Sequence, residues 1–476
     1  MHKRLSLILP LAFLASCTIV GPDFVPPAAP VAGTYAMAGD GAEPDGVRLV
    51  PGTAAAAEWW KVFGSADLDA LVAQALANSP TLDRADATLA RALAMESVQR
   101  GGAAPQVEAS GSLGRERINT AAFGIQGFPS PTINLYSLGS DVSFDLDLFG
   151  GRKRRIENAA AQTEAQAYRT DAAYLTLTGQ LVTRAIELAS LRAQLAELDE
   201  IIVGDRKTLE MIQRGVDAGG EPRSATNTSE AQLAEDEAGR PPLLYRIDVA
   251  RHALALLVGK APSEWTAPDI DLADIALPDD VPVSLPSALV RQRPDIRAAE
   301  VDLHAATAAI GIAEADRYPN VSLDAAFAFT ALNPEDLFQY ESSGWSVGPS
   351  VTAPLFQGGS LKARQAAAVA EARQADAQYR QTVLVAFVQI ADLLSAISGD
   401  QRLILALSHA SDIAVENARL ASIGYENGAG SLLSVIDAQR QAQRARLGVV
   451  DAKARLRSDI AALLVATAAS TQTAPR

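Results

Sequence analysis

A chain of 476 residues has room for several domains, but with only 5% aromatic side chains it lacks the rings that fill large globular cores, so thin helix-on-helix packing is expected. A formal net charge of -15 argues against a nucleic-acid partner, which is gripped through basic patches. One cysteine excludes an intrachain disulfide, and four scattered histidines without Cys or Asp at ligand spacing suggest neither a metal site nor an enzyme; no cofactor is expected.

Residues 1–17 read as an export signal: Lys3 and Arg4, an apolar run from Leu5 to Phe13, then Leu14-Ala15-Ser16-Cys17. The last four resemble a bacterial lipoprotein box, which would make Cys17 the site of a covalent lipid such as palmitate; Thr18 after it fits outer-membrane sorting. No later stretch holds the roughly 18 to 20 consecutive apolar residues of a membrane helix, so any crossing must use strands. Residues 18–57, rich in Pro, Gly and Ala, read as an extended N-terminal tether. Trp59-Trp60, Phe63, Leu68 and Leu71 then open a helix that runs over 67–101.

Two strand-rich islands follow, each between long alanine-rich helical stretches. In the first, strands are expected at about 105–116 and 135–148; in the second, at about 319–331 and 343–356. Leu138, Val142, Phe144, Leu146 and Leu148 share one face, against Asp141, Ser143, Asp145 and Asp147 on the other. The loops at about 117–134 and 332–342 carry Phe123, Phe128, Phe338 and Tyr340, which with Tyr136 and Trp345 belong either to an aromatic girdle or to ordinary loop packing. The run Arg152-Lys153-Arg154-Arg155 opposes the dipole of the helix it begins, so either lipid phosphate or plain solvation must offset it.

The islands belong to a duplication. Asn78-Ser79-Pro80 and Gln292-Arg293-Pro294 lie 214 residues apart, as do Pro105-Gln106-Val107 and Pro319-Asn320-Val321. The first repeat spans 58–260 and the second 286–468, with a Pro-rich linker at 261–285 and a tail at 469–476. Proline-free stretches at 152–217 and 360–427 are each helices of ~100 Å. The flanking helices are half as long, so each long helix should pack on two short ones stacked end to end. Leu181, Leu188, Leu195, Ile202 and Leu209, and Val383, Ile390, Ile397 and Ile404, recur every seven residues as coiled-coil seams. A long dimeric coiled coil carries the same signal.

Four amphipathic strands cannot close a membrane barrel, which needs about eight, and open edges in lipid leave backbone groups unpaired. Three chains would give twelve strands, so a homotrimer is expected. Asp141, Asp145, Asp147 and Asp324 would then line a lumen that favours cations modestly, or form a solvated strand face with no role in selectivity, which is the commoner meaning of such charges.

The lipoprotein box, Val20-Gly21-Pro22-Asp23-Phe24, the Trp59-Trp60 start, the duplication, Pro354-Leu355-Phe356-Gln357-Gly358-Gly359 and Ser434-Val435-Ile436-Asp437-Ala438-Gln439-Arg440 together resemble the TolC-type outer-membrane factors. The likeness is to the lipoprotein branch serving resistance-nodulation-division (RND) pumps. It implies a mostly α fold: a trimeric twelve-stranded β-barrel in the outer membrane plus a long α-helical tunnel in the periplasm, docked to a periplasmic adaptor (membrane fusion) protein and an inner-membrane pump. The implied function is a passive exit duct for small molecules (drugs, toxic compounds or metal ions). A type I protein secretion duct and a lipid-anchored periplasmic coiled-coil scaffold are the alternatives. The turns Gly219-Gly220-Glu221-Pro222 and Gly428-Ala429-Gly430 would mark the periplasmic tip, and the positions matching the family's aperture are Leu433, Asp437 and Arg440. Ser434 stands where some relatives carry a second acid, and Asp437 needs a cationic partner such as Arg440, three residues on.

Overall fold

The computed structural model describes residues 19–28, 34–35, 37, 48–52, 55–119, 122, 124 and 129–468. Cys17, the signal, Phe123, Phe128 and the tail lie outside them. The elements in chain order are β1 (Arg48–Pro51), α1 (Ala66–Asn78), α2 (Pro80–Gly101), β2 (Gln106–Arg117), β3 (Thr132–Asp145), α3 (Gly151–Asp217), α4 (Arg223–Leu257), β4 (Asp280–Val283), α5 (Pro286–Gln292), α6 (Pro294–Ala315), β5 (Asn320–Ala331), β6 (Ser343–Thr352), α7 (Ser360–Glu426) and α8 (Leu432–Thr467). The helix expected over 67–101 is two helices. Ser79 is extended at ψ 116° because the ring of Pro80 disfavours helical backbone in the residue before it, and Arg293 before Pro294 repeats the break at ψ 122°.

The chain divides into two compact units. The first comprises Met1–Pro27, Leu89–Gln166 and Ala299–Tyr379. Its sheet has the order β2-β3-β5-β6, antiparallel throughout. The register sorts most side chains by polarity, since residues directly opposite share a face; the exceptions include Ile133 and Leu135 on the polar face and Arg115, Arg117, Asn134 and Ser140 on the apolar one. Gln106, Glu108, Ser110, Asp141, Ser143, Asp145, Ser322, Asp324, Ser346 and Ser350 fall on one face; Val107, Leu113, Leu138, Val142, Phe144, Leu323, Phe327, Val347 and Trp345 fall on the other. Many of the apolar side chains are bare: Val107, Leu113, Trp345, Val347 and Val351 are each more than 60% exposed. Among the described residues β2 and β6 each pair on one side only. Pro349, which cannot donate a ladder hydrogen bond, sits on edge strand β6, where it is tolerated.

β3 and β6 stop short of the expected ends, at Asp145 and Thr352. Beyond Asp145 the chain turns through Asp147 at φ 48° and Gly150 at φ 74°. Asp tolerates the left-handed region, and its side chain has a use there: the Asp147 carboxylate accepts N–H groups of Arg152 and Lys153 at 2.8 and 2.9 Å, satisfying orphan donors at the start of α3.

Three of the four basic residues of the run meet carboxylates within the fold, while Lys153 is exposed. Arg152 pairs with Asp145 at 3.1 Å, Arg155 with Asp316 at 2.9 Å, and Arg154, with a side chain only 4% exposed, with Asp23 and Glu157 at 2.8 Å each. Arg154 also donates to the carbonyls of Val20 and Gly21. Phe24 stacks on His304 at 4.5 Å, and His304 meets Glu157 at 2.9 Å. The motif Val20-Gly21-Pro22-Asp23-Phe24 is thus a strap fastened to α3 and α6. Gly21 has φ 87°, and a Cβ there would run into the backbone of Gly311, so only glycine fits.

The second unit comprises Ala28–Thr88, Ala167–Ala298 and Arg380–Arg476. Trp59, Phe63, Leu68, Leu181, Ile186, Leu188, Leu254, Ile275, Leu289 and Leu463 are essentially sealed from solvent. The Trp59 indole donates to Thr178 Oγ1 at 3.3 Å. Within 18–57 the chain docks on the linker region: β1 pairs in parallel with β4, Arg48 and Asp280 meet at 2.7 Å, and the Tyr35 hydroxyl donates to the Ser284 carbonyl at 2.8 Å. Leu181, Leu188 and Ile202, with Val383, Ile390 and Ile397, are buried by the chain itself, so these seams need no dimeric coiled coil. α7 carries an 18-residue window of mean hydropathy 1.8, apolar enough for a membrane span by composition although the sequence holds no unbroken apolar run of that length; 28% of it is buried. Leu384, Val385, Val388, Leu405, Ile413 and Leu420 of α7 are exposed.

Gly21→Ala combines a positive-φ penalty with overpacking against Gly311, a loss of about 2 kcal/mol or more. Hydrogen exchange over 19–28 should speed up markedly while α8 exchange is unchanged; equal protection in both proteins would show that the strap does not depend on this glycine.

Candidate functional site

Both long helices end in the same way. At the end of α3, Gly219 takes φ 77°, its N–H bonds the Val216 carbonyl at 3.0 Å and the Gly220 N–H bonds the Gly215 carbonyl at 2.9 Å. At the end of α7, Gly428 takes φ 71°, with matching bonds from Gly428 to Tyr425 at 2.9 Å and from Ala429 to Gly424 at 2.8 Å. These are Schellman stops, in which glycine supplies the left-handed residue and the last carbonyls are satisfied before the chain reverses. Ser431 then caps α8, its hydroxyl accepting the Ser434 N–H at 3.2 Å.

The two turns are joined through side chains. The Tyr425 hydroxyl donates to Glu221 Oε1 at 2.9 Å. Desolvation, followed by the Glu221 carboxylate, pushes the phenol up to about 12, so it stays a donor at any physiological pH. Sequence reasoning missed this bond. Both residues sit within or beside the turns already singled out, but nothing in their spacing, 204 positions apart, joins them.

Of the aperture candidates, Leu433 is 63% exposed and Asp437 is exposed beside it on α8. Arg440 does not serve Asp437. Its guanidinium donates to Gln232 Oε1 and meets Glu235 at 3.3 Å, both on α4, while Gln232 passes a hydrogen bond to Asp236 at 2.6 Å. Gln439 donates to Thr208 of α3 at 3.1 Å. The polar residues around 440 therefore fasten α8 to the first hairpin. Exposed ion pairs Arg206–Glu237 and Arg240–Asp199, each at 2.6 Å, connect α3 with α4.

Of the lumen candidates, Asp141 and Asp324 stand on the polar face of the sheet; Asp141 is opposite Glu108, and Asp324 accepts from Ser322 at 2.7 Å. Asp145 shares that face but is tied to Arg152 and to the Asp147 N–H. Asp147 is off the strand and must be removed from the set, because its carboxylate is spent on the first turn of α3. Tyr340 and Trp345 are 87% and 75% exposed, and Phe338 packs edge-on to Phe329 at 5.8 Å. Among the described residues no group of three or more His, Cys, Asp or Glu side chains is placed to hold a metal ion.

With this geometry in view, comparisons with known proteins give a consistent result. The family model described as outer membrane efflux protein matches residues 71–260 and 285–469. Nodulation protein T of Rhizobium leguminosarum bv. viciae is 29% identical over 96% of this chain and 92% of its own length. The probable efflux pump outer membrane protein TtgC of Pseudomonas putida is 30% identical over 96% of this chain and 93% of its own. The solved outer-membrane channel OprN superposes with a TM-score of 0.85 at 30% identity, covering 95% of this chain and 99% of that one. With the duplicated four-stranded fold matched over nearly its whole length, the chain belongs to the outer membrane efflux protein family of TolC-type channels.

Proposed function

We propose that this outer-membrane protein is the exit duct of a tripartite efflux system, passive in itself and loaded with small molecules by an inner-membrane RND pump through a periplasmic adaptor. The observation that carries the reading is the sheet with one mainly polar and one mainly apolar face and, among the described residues, two unpaired edges. An apolar face belongs in lipid, a polar face in water, and an open edge in a bilayer leaves several kcal/mol per unpaired group. Pairing β2 of one copy with β6 of the next removes every edge, and three copies give an even count of twelve strands around a water-filled bore. The bare apolar side chains of α7 are accounted for by the same neighbours. A lipid on Cys17 would hold the strap end at the membrane.

In this reading the helical hairpins stand in the periplasm and control passage. The Tyr425–Glu221 bond holds the second turn against the first, and the exposed Leu433 and Asp437 narrow the aperture. Asp141 and Asp324 bias the bore towards cations. The relatives named for toluene efflux and pyoverdine export indicate small molecules as cargo.

Planar-bilayer recording of the purified protein tests the duct directly. Wild type should show small, mostly closed conductance. Tyr425→Phe, which loses a hydrogen bond of about 1.5–3 kcal/mol to a charged acceptor, should raise open probability on the order of tenfold or more. A folded oligomer that stays silent, including after Asp437→Ala, would overturn the reading. Asp141→Asn with Asp324→Asn should shift the reversal potential in a salt gradient towards zero by a few millivolts without changing open probability; an unchanged potential removes both from the bore. Cys17→Ser should abolish incorporation of labelled fatty acid, and undiminished labelling would refute the anchor.

A further inference from the structure

Each helical hairpin of the second unit sets a buried aspartate against a half-buried one. In the first, Asp205 of α3 is 5% exposed and within hydrogen-bond reach of Asp236 on α4; its Oδ2 is sealed from solvent and receives no hydrogen bond from an N–H or O–H donor. In the second, Asp400 of α7 is 6% exposed and within reach of Asp459 on α8, and its Oδ2 is sealed in the same way. A buried carboxylate set against another carboxylate is unfavourable twice over, through lost hydration and through like-charge repulsion. One proton held between the two converts the repulsion into a short, charge-assisted O–H···O bond.

We propose that each helical hairpin is clamped by an aspartic acid–aspartate pair sharing one proton, Asp205 with Asp236 and Asp400 with Asp459, so that the helices tighten in acid and loosen when the proton leaves.

The surroundings define how firmly the proton is held. Asp205 faces Asp236 from α4 and Arg440 from α8; Arg440 is drawn off by Gln232 and Glu235, while Gln232 supports Asp236. The adjoining groove adds Glu200 of α3 and Arg446 of α8, which lies 3.9 Å from Glu197, and α7 contributes only Val415 and Ala418. Around Asp400 the charged neighbours are Asp459, Arg455 and Asp451 of α8, the last two paired together at 2.8 Å. Burial first, and the neighbouring carboxyl second, push Asp205 up to about 7 and Asp400 up to about 6, against the partial pull of Arg440 and Arg455. Asp459 is raised as well, mainly by burial. Each pair releases its proton as a unit.

The direction of the effect follows by linkage. A carboxyl whose folded-state pKa lies above its unfolded value contributes its full stability below the ordinary Asp range, near pH 4, and loses it as the pH climbs through about 6 for Asp400 and about 7 for Asp205. Neither clamp depends on the duct reading, because both belong to the packing of helix on helix.

Hydrogen exchange of the full-length protein at pH 5 and pH 8, corrected for intrinsic rates, tests the clamps. Segments around 198–240 and 396–462 should open on the order of tenfold more readily at pH 8. Asp205→Asn places an amide donor against Asp236 and should hold the first hairpin closed at both pH values while leaving the second pH-dependent; Asp400→Asn should do the converse. Asp236→Asn is the reciprocal variant should Asp205→Asn fail to fold. At pH 6 the infrared carbonyl band of protonated carboxyl groups should shrink in the Asp205→Asn, Asp400→Asn double variant. Equal corrected exchange at both pH values, or Asn variants that keep the wild-type dependence in their own hairpin, would overturn the proposal. So would protection at pH 8 that appears with added calcium and vanishes on chelation, since a cation would then occupy the place of the proton.

Discussion

The main constraint on this protein is that a backbone in lipid can leave no hydrogen-bonding group unpaired. The four-stranded sheet meets it internally through the β2-β3-β5-β6 ladders and fails at its two edges. Everything that distinguishes the chain from an ordinary helical protein follows from this shortfall. The sheet is sorted into a polar and an apolar face because both of its surroundings are fixed, and the apolar face is left bare because its solvent is hydrocarbon. A soluble protein with Trp345, Val347 and Val351 this exposed would aggregate through them.

The helical part obeys a different rule. Alanines such as Ala161, Ala165, Ala305 and Ala308 are buried where larger residues would hold helices apart, while Trp59, Phe63 and Leu68 are sealed from solvent. Such packing offers little apolar area per residue, so polar contacts do more of the positioning. Arg154, Arg440 and Tyr425 each reach across to another segment, and each is held by two or more acceptors or by a charged one. The arrangement gives specific alignment at modest stability, which suits walls that must also move.

Much of this was legible in the sequence because it is periodic. Strict alternation set the faces of Leu138, Val142 and Phe144 against Asp141 and Ser143, and the 214-residue offset placed Pro80 and Pro294 at matching helix breaks. Three of the four strand starts fell within a residue of those observed, while β3 begins at Thr132, three residues before the expected 135. What failed was local periodicity continued past its cause. Asp147 alternates like a strand residue, but the need for an acceptor at the start of α3 claimed it. Asp437 and Arg440 have helical ion-pair spacing, yet Arg440 found Gln232 and Glu235 more than 200 positions away. The pairs Asp205–Asp236 and Asp400–Asp459 left no trace at all, since a buried acid looks in sequence like any of the 56 acidic residues.

The parallel pairing of β1 with β4 has a consequence in time. Arg48 waits for Asp280, 232 positions later, and the strap at Gly21 waits for Gly311. A growing chain emerges amino end first, so this segment is made early and docks late, after the entire first repeat has followed it. Throughout that interval its amino-terminal stretch is free of the body and open to processing enzymes. Once Pro51 lies against Val283, the segment is bound to the linker between the two repeats. Its docking records that the linker and then α6 have arrived, while β5, β6, α7 and α8 are still to follow.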